Sequence, residues 1–485
     1  MKQVWACLKK YYEVIGYGVL TLLLLGACFM PAFAWIAAVY AFVFAGVLHN
    51  ETKIFALMLY LHCFFVLFNY QNLWGITLDI VIAGVLIFAI LVLYVYRLIK
   101  REYKLNWKTL IPIGLFLVYL VLPFHQCYWQ DFFAEVFFFV LVYIIFEERK
   151  ALDFRSIVRV LVLGLLVSCA FALLRKVSPL LEDNIRIWDY YGFFRFNGLT
   201  FHPNTLYPLI VVAISGMLIL FYKNKISMIE LIASYVLLFG FGYFTLSRAF
   251  LVTSIAAVVV FTSVYFVKAR GKAILLGGLM LALMCLVGGV FYGTTKAYFN
   301  RISQSTDLVV ISHAVNGLTI QGLEDCFDNQ PEEWKQAVWA GEIHFDPGRP
   351  GLRGLYLRDW SSSPKNMFLG RGISRPQIGQ MSAHNLLIQE LWKHGLVGYC
   401  FYLAMIIGGV NWRSFKQRFK VYLPLLIVLI PYFLITMVEQ CLLDYIRVGV
   451  ILAAVGFLEK IAEEKVPKQL SSHSMDKITD KSNHN

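Results

Sequence analysis

Apolar runs succeed one another along most of this chain, separated by short polar breaks. A helix needs about 17–25 predominantly apolar residues to cross a bilayer. By that measure the runs at 14–30, 32–48, 54–68, 74–96, 110–124, 130–146, 157–174, 206–222, 228–246, 249–267, 273–292, 386–410, 421–438 and 441–458 predict membrane helices. The runs at 54–68 and 110–124 are the shortest, so the expectation is an all-α polytopic integral membrane protein of about 12–14 transmembrane helices. One interval, 294–383, breaks the pattern, being polar, arginine-rich and aromatic. A loop of that length is usually functional.

The polar breaks orient the helices. Lys2, Lys9 and Lys10 precede the first run, and Arg97 to Lys108, Arg149 to Arg155, Lys223 with Lys225, Lys268 to Lys272 and Arg413 to Lys420 fill every second loop. Such alternation is the positive-inside pattern. It predicts cytoplasmic termini, a first helix retained rather than cleaved as a signal peptide, and extracytoplasmic loops at 175–205 and 293–385. The expected division is a bundle over 1–292, a large extracytoplasmic loop over 293–385, further helices over 386–459 and a disordered cytoplasmic tail over 460–485. Within the loop, Pro331-Glu332-Glu333-Trp334 predicts a helix start, and 345–351, with Pro347, Gly348, Pro350 and Gly351, predicts turns.

Composition agrees. The chain is 59% hydrophobic and only 15% charged, with a mean hydropathy of +0.67; soluble domains carry about 25% charged residues. The net charge of +13 is accounted for by cytoplasmic lysine and arginine, not by nucleic acid. Of nine cysteines, Cys28, Cys63, Cys169, Cys285 and Cys400 lie in apolar runs and act as small hydrophobes. Cys127 and Cys326 are the pair able to bridge outside the membrane.

Charge on the other side needs a reason. The basic residues there are mainly arginines: Arg186, Arg195, Arg248, Arg301, Arg349, Arg353, Arg358, Arg371 and Arg375. A guanidinium presents a planar fork suited to phosphate oxygens, so the bias points to a phosphate-bearing ligand; ordinary solvated charge is the bland alternative. Four stretches stand out. They are Arg195 to Asn204, with His202-Pro203-Asn204 at its end; Thr245-Leu246-Ser247-Arg248; Gly351-Leu352-Arg353 with Leu369-Gly370-Arg371-Gly372; and His384-Asn385, followed by Gly395-Leu396-Val397-Gly398.

In that order the four resemble the O-antigen ligase and polymerase superfamily of bacterial membrane glycosyltransferases, over about 195–410. The resemblance implies a GT-C-like membrane fold with an extracytoplasmic active site in the bacterial plasma membrane. It implies inverting, metal-independent transfer of a glycan from a polyprenyl-pyrophosphate carrier to a hydroxyl of a glycan or glycolipid acceptor, with no cofactor, in cell-surface polysaccharide assembly. His384 would take the acceptor proton, its ordinary pKa lying near working pH. Arg248 would hold the pyrophosphate and Arg353 would be a second clamp, with Arg358 close enough to be the true match. Arg195, Asn204 and Asn385 would bind substrate or orient the site, and His202 is the rival base, although Pro203-Asn204 predicts a turn there. A structural cap or a snorkelling cation is the bland reading of each. The segment 302–350 has no family pattern, and His313 and His344 have no motif support. The chain contains no Asp-x-Asp, zinc spacing or nucleotide loop. The alternative class is a transporter or flippase of lipid-linked glycans, which should place charges inside several helices.

Overall fold

The computed structural model describes residues 2–73, 75–100, 105–122, 127–184, 188–190, 193–200, 202–296, 327–345, 348–409, 419–438 and 445–464. Each predicted apolar run is represented by helix. The first half comprises α1 (Lys2–Ala27), α2 (Ala32–Leu48), α3 (Glu51–His62), α4 (Phe65–Asn69), α5 (Leu78–Ile99), α6 (Trp107–Leu120), α7 (Trp129–Glu148), α8 (Phe154–Ala172) and α9 (Pro179–Asn184). Then follow α10 (Pro203–Tyr222), α11 (Met228–Tyr243), α12 (Arg248–Phe266) and α13 (Arg270–Val290). After the polar interval come α17 (Leu386–Gly409), α18 (Phe419–Met437) and α19 (Tyr445–Glu464). Among the described residues six helices are long and apolar enough to cross a membrane: α5, α8 with its 3₁₀ extension to Arg175, α10, α12, α13 and α18. Helix α7 carries acids, and α17 and α19 carry acids and bases, within otherwise apolar sequence. The architecture is that of an all-α membrane protein.

Two helices form the centre. In α3 every residue from Ile54 to Leu61 is buried, and in α10 every residue from Leu206 to Leu220. A helix apolar all round has no face for water and belongs inside a bundle. Helix α10 is surrounded by α8, α11, α12, α18 and α19, whereas α3 packs on α5 and α8. The run at 54–68 is not one span: it turns at Cys63-Phe64 and restarts as α4. A two-stranded hairpin, β1 (Asn72–Leu73) with β2 (Ile76–Thr77), then leads into α5. A second, β3 (Trp188–Tyr190) with β4 (Phe193–Arg195), lies before α10.

The polar interval is helical where it is described. It holds α14 (Glu332–Ala340), α15 (Gly348–Ser361), α16 (Pro364–Leu369) and a 3₁₀ turn at Ile378–Gln380. Pro331 stands at the N-cap of α14, with Glu332 and Glu333 in its first turn, as the sequence predicts. These elements have their own apolar core of Phe327, Val338, Leu355, Tyr356, Ile378, Ala383 and Trp392, the last supplied by α17. Three expectations need correction. Residues 348–351 open helix α15 rather than form turns; a proline in the first helical turn lacks only an N–H that would be unbonded anyway. Pro203-Asn204 likewise begins α10. At the C-terminus, helix α19 continues past the expected start of the tail to Glu464. Residues 465–485, Arg186, Arg301, His313 and Cys326 lie outside the described residues, and with them the tail beyond 464 and the Cys127–Cys326 pairing.

Helix α17 is broken, and the break positions everything above it. Gly395 has φ 61° and ψ −171°, a region open essentially to glycine alone. There the helix backbone crosses that of Gly370: a Cβ on Gly395 would lie 2.5 Å from Gly370 N, and one on Gly370 would lie 2.2 Å from Lys393 O. The carbonyls freed by the break are bonded again. Arg371 N donates to Trp392 O (2.8 Å) and Gly372 N to Lys393 O (3.0 Å). The Tyr119 hydroxyl from α6 lies 2.9 Å from His394 O and 2.5 Å from Leu369 O.

Gly395→Ala should therefore destabilise the protein by at least about 1–3 kcal/mol, the usual cost of forcing such a backbone conformation on another residue. Gly278→Ala in α13, where a Cβ meets nothing within 4 Å, should be neutral or slightly stabilising. Thermal unfolding of the two variants in one detergent checks this; equal melting temperatures would remove the strain argument.

Candidate functional site

Three chain segments meet at His384. The residue is partly buried and sits just before α17 with φ 47°, in the left-handed region. Its carbonyl accepts from Arg353 Nη2 of α15 at 3.0 Å, and the same nitrogen donates to Met437 O at the end of α18 at 2.8 Å. Asn385 caps α17, its Oδ1 accepting from Ile388 N at 3.1 Å, while its Nδ2 donates to Met437 O at 3.3 Å. Arg353, His384 and Asn385 are thus brought together. The contacts fix main-chain positions. A guanidinium at the last carbonyls of α18 also complements that helix's dipole.

A second cluster joins the first two sequence motifs. Arg195, at the end of β4 and 5% exposed, donates from Nε to Thr245 O at 3.0 Å and from Nη2 to Asn204 Oδ1 at 3.0 Å. Phe196 N donates to Phe244 O at 2.9 Å. Arg195 and Asn204 therefore pair with each other and fasten the segment before α10 to the α11–α12 corner. His202 caps α10, its Nδ1 accepting from Asn204 N at 2.9 Å. That capping contact gives His202 a structural role at this position. The corner itself is tight. Leu246 has φ 51°, Thr245 Oγ1 accepts from Ser247 N at 3.2 Å, and Arg248 follows as the exposed first residue of α12. Helix α12 packs along α18, the helix whose terminal carbonyl is held by Arg353 and Asn385. The two clusters are thereby connected through α18.

Arg358 is committed elsewhere. It is exposed and forms a fork on Asp328, at 2.5 and 3.2 Å, and its charge holds the Asp328 carboxyl below the usual range. Of the two candidate clamps in α15, Arg353 is the one beside His384. Burial pulls the Arg375 guanidinium below its ordinary pKa, and the neighbouring Arg371 adds to the effect.

Sequence reading missed the group that holds this region together. Asp359, on α15 and almost fully buried, accepts from Arg371 Nε at 2.8 Å and also from Arg371 Nη2. It accepts as well from Trp392 Nε1 of α17 at 2.7 Å. Its partners lie 12 and 33 residues away, so no local pattern announces it. A second missed group was legible, since Glu390 and His394 stand four apart in α17. They are both buried, with His394 Nε2 3.3 Å from Glu390 Oε2. Glu135 of α7 lies within electrostatic reach of Glu390, Lys393 and Asp131. Among the described residues no three His, Cys, Asp or Glu side chains are grouped to hold a metal ion. No family model and no curated protein matches this chain.

Asp359→Asn should cost about 3 kcal/mol, the lower end for a buried ion pair that loses one partner, because the Arg371 side chain stays 25% exposed. The double variant Asp359→Asn/Arg371→Met should recover most of the loss, because it removes the stranded charge and keeps an acceptor for Trp392 Nε1. Chemical or thermal unfolding of single and double variants tests this; a double variant no better than Asp359→Asn would show that the charge pairing is not what matters.

Proposed function

We propose that this protein transfers a glycan from a polyprenyl-pyrophosphate carrier to an acceptor hydroxyl, on the extracytoplasmic side of a bacterial plasma membrane. The observation that carries the reading is the convergence of Arg353, His384 and Asn385 at the end of α18. That helix is packed against α12, which begins at Arg248. Support also comes from Arg248 itself. A cation on the first residue of a helix opposes the dipole, so helix stability does not explain it. The N-terminal end of the α12 dipole and the guanidinium both favour an anion. A pyrophosphate is such an anion, and it departs with added charge. Preplaced donors at that charge lower the barrier without a metal.

In this reading His384 accepts the proton of the attacking hydroxyl, and Arg248 and Arg353 face the leaving pyrophosphate. Arg195 and Asn204 act by holding the corner that presents Arg248. A fold of about 12–14 membrane helices with residues 293–385 as an extracytoplasmic, GT-C-like catalytic cap belongs to the same proposal. So do cytoplasmic termini and a glycan or glycolipid acceptor.

One observation favours a second reading, transport of a lipid-linked glycan. Ionisable side chains within membrane helices mark pathways and relays. The buried Glu390–His394 pair near Glu135 is of that kind.

The test is a transfer assay with purified protein, a polyprenyl-pyrophosphate-linked glycan and acceptor, beside binding of labelled carrier lipid. His384→Ala should reduce transfer by about 10²–10⁴-fold, the usual contribution of a general base, with donor binding retained. Arg248→Ala should lose binding and rate together, and Arg248→Lys should recover only part, lacking the fork. Normal transfer by His384→Ala would overturn the base assignment. Movement of lipid-linked glycan across vesicles, with no transfer by the wild type, would establish the transport reading instead.

Chelators should leave transfer unchanged, since the arginines stabilise the leaving group unaided. Activity lost in EDTA and restored by magnesium or manganese would contradict this.

A further inference from the structure

A cavity of about 230 Å³ lies between α3, α4, α5 and α7, away from the residues discussed above. Its wall is apolar, with Leu61, Phe65, Phe68, Ile87 and Phe138 prominent. It is larger than the cavity of about 150 Å³ that takes up benzene in an engineered protein core. The cleft opens to the outside of the bundle, since Ile80 and Phe137 in its wall are exposed. On a membrane helix bundle that surface faces lipid.

Two polar side chains line it, Asp79 and His62, and among the described residues no lysine or arginine does. Asp79 lies in the first turn of α5, directly after the β1–β2 hairpin. Thr77 and the amides of Asp79 and Ile80 lie beside its carboxylate. Its Oδ1, screened from solvent, has no hydrogen-bond partner among the described residues. A carboxylate oxygen so placed carries a desolvation cost that only a donor relieves. His62 attracts the carboxylate when it is protonated but adds no charge when neutral. The site therefore offers an alkyl-sized trough with one negative charge at a helix end, the level at which lipid headgroups lie.

We propose that this cleft binds one membrane lipid with a primary-amine headgroup, its ammonium on Asp79 and a chain between α3, α5 and α7. An ammonium supplies the positive charge that no lysine or arginine of the described wall provides, and N–H donors for the carboxylate. A polyprenyl pyrophosphate fits badly, because Asp79 repels it and no cation in the wall compensates. The inference therefore stands independently of the proposed transfer reaction.

The test uses the purified full-length chain in detergent, incubated with phosphatidylethanolamine or phosphatidylglycerol of matched chains, and counts retained lipid by native mass spectrometry. The wild type should retain one phosphatidylethanolamine in preference to phosphatidylglycerol. Asp79→Asn should weaken that retention about tenfold or more, as expected for a lost charge-assisted hydrogen bond. A second variant fills the trough. Gly84 lines it, and a Cβ there meets nothing within 4 Å, so Gly84→Leu should abolish retention with an unchanged melting temperature. Equal retention of the two lipids, preference for a polyprenyl pyrophosphate, or wild-type retention in both variants would each overturn the proposal.

Discussion

A helix broken inside a membrane bundle must have its freed carbonyls bonded by other protein groups, because hydrocarbon offers no donor. That constraint organises the candidate site. The break at Gly395 releases the carbonyls of Trp392, Lys393 and His394, and they are taken up by Arg371 N, Gly372 N and the Tyr119 hydroxyl. The glycine turn at 369–372 is therefore locked against α17. Once it is there, Arg371 reaches Asp359, and Asp359 also takes the indole N–H of Trp392. Helix α15 is fixed in consequence, and with it Arg353 beside His384.

The arginines divide by the helix end they occupy. Arg353 lies at the carbonyl end of α18, where a cation is favourable for the fold itself. Arg195 is consumed by Thr245 and Asn204, Arg358 by Asp328, and Arg371 by Asp359. Arg248 differs, since its position at the amide end of α12 works against the dipole. The case for an anionic ligand rests more on that one residue than on the abundance of arginine.

The helices were legible because hydrocarbon thickness imposes a length that survives in any apolar sequence. The break in the 54–68 run was not, since Cys63-Phe64 carries no helix-breaking residue. The start of α15 was misread because Pro350 and Gly351 look like turn residues, and in a helix's first turn proline is equally at home. Four short stretches pointed to the candidate site, and side-chain hydrogen bonds do join Arg353 to His384 and Arg195 to Asn204. Their support could not be read. The bonds of Asp359 depend on tertiary closeness, and the atom that receives Arg353 and Asn385 is a backbone carbonyl of Met437, to which the side-chain identity gives no clue.

The buried acids bear on the choice between transferase and carrier. A carrier alternates between two openings by moving repeats or helices against each other. Glu390 and His394 lie on the segment of α17 between His384 and the break at Gly395. That segment is tied at its start by Arg353, in the middle by the Trp392–Asp359 bond and at its end by the main-chain bonds to Arg371 and Gly372. Nearby, Ser374 links the same turn to Asp131 of α7. Moving α17 past α7 would require breaking several of these bonds where little water is present to replace them. A segment held this firmly suits a reaction that needs fixed distances better than a pathway that must open and close. On the proposed transfer reading the acids belong to the framework that carries His384, and the arginines beside it are the functional groups.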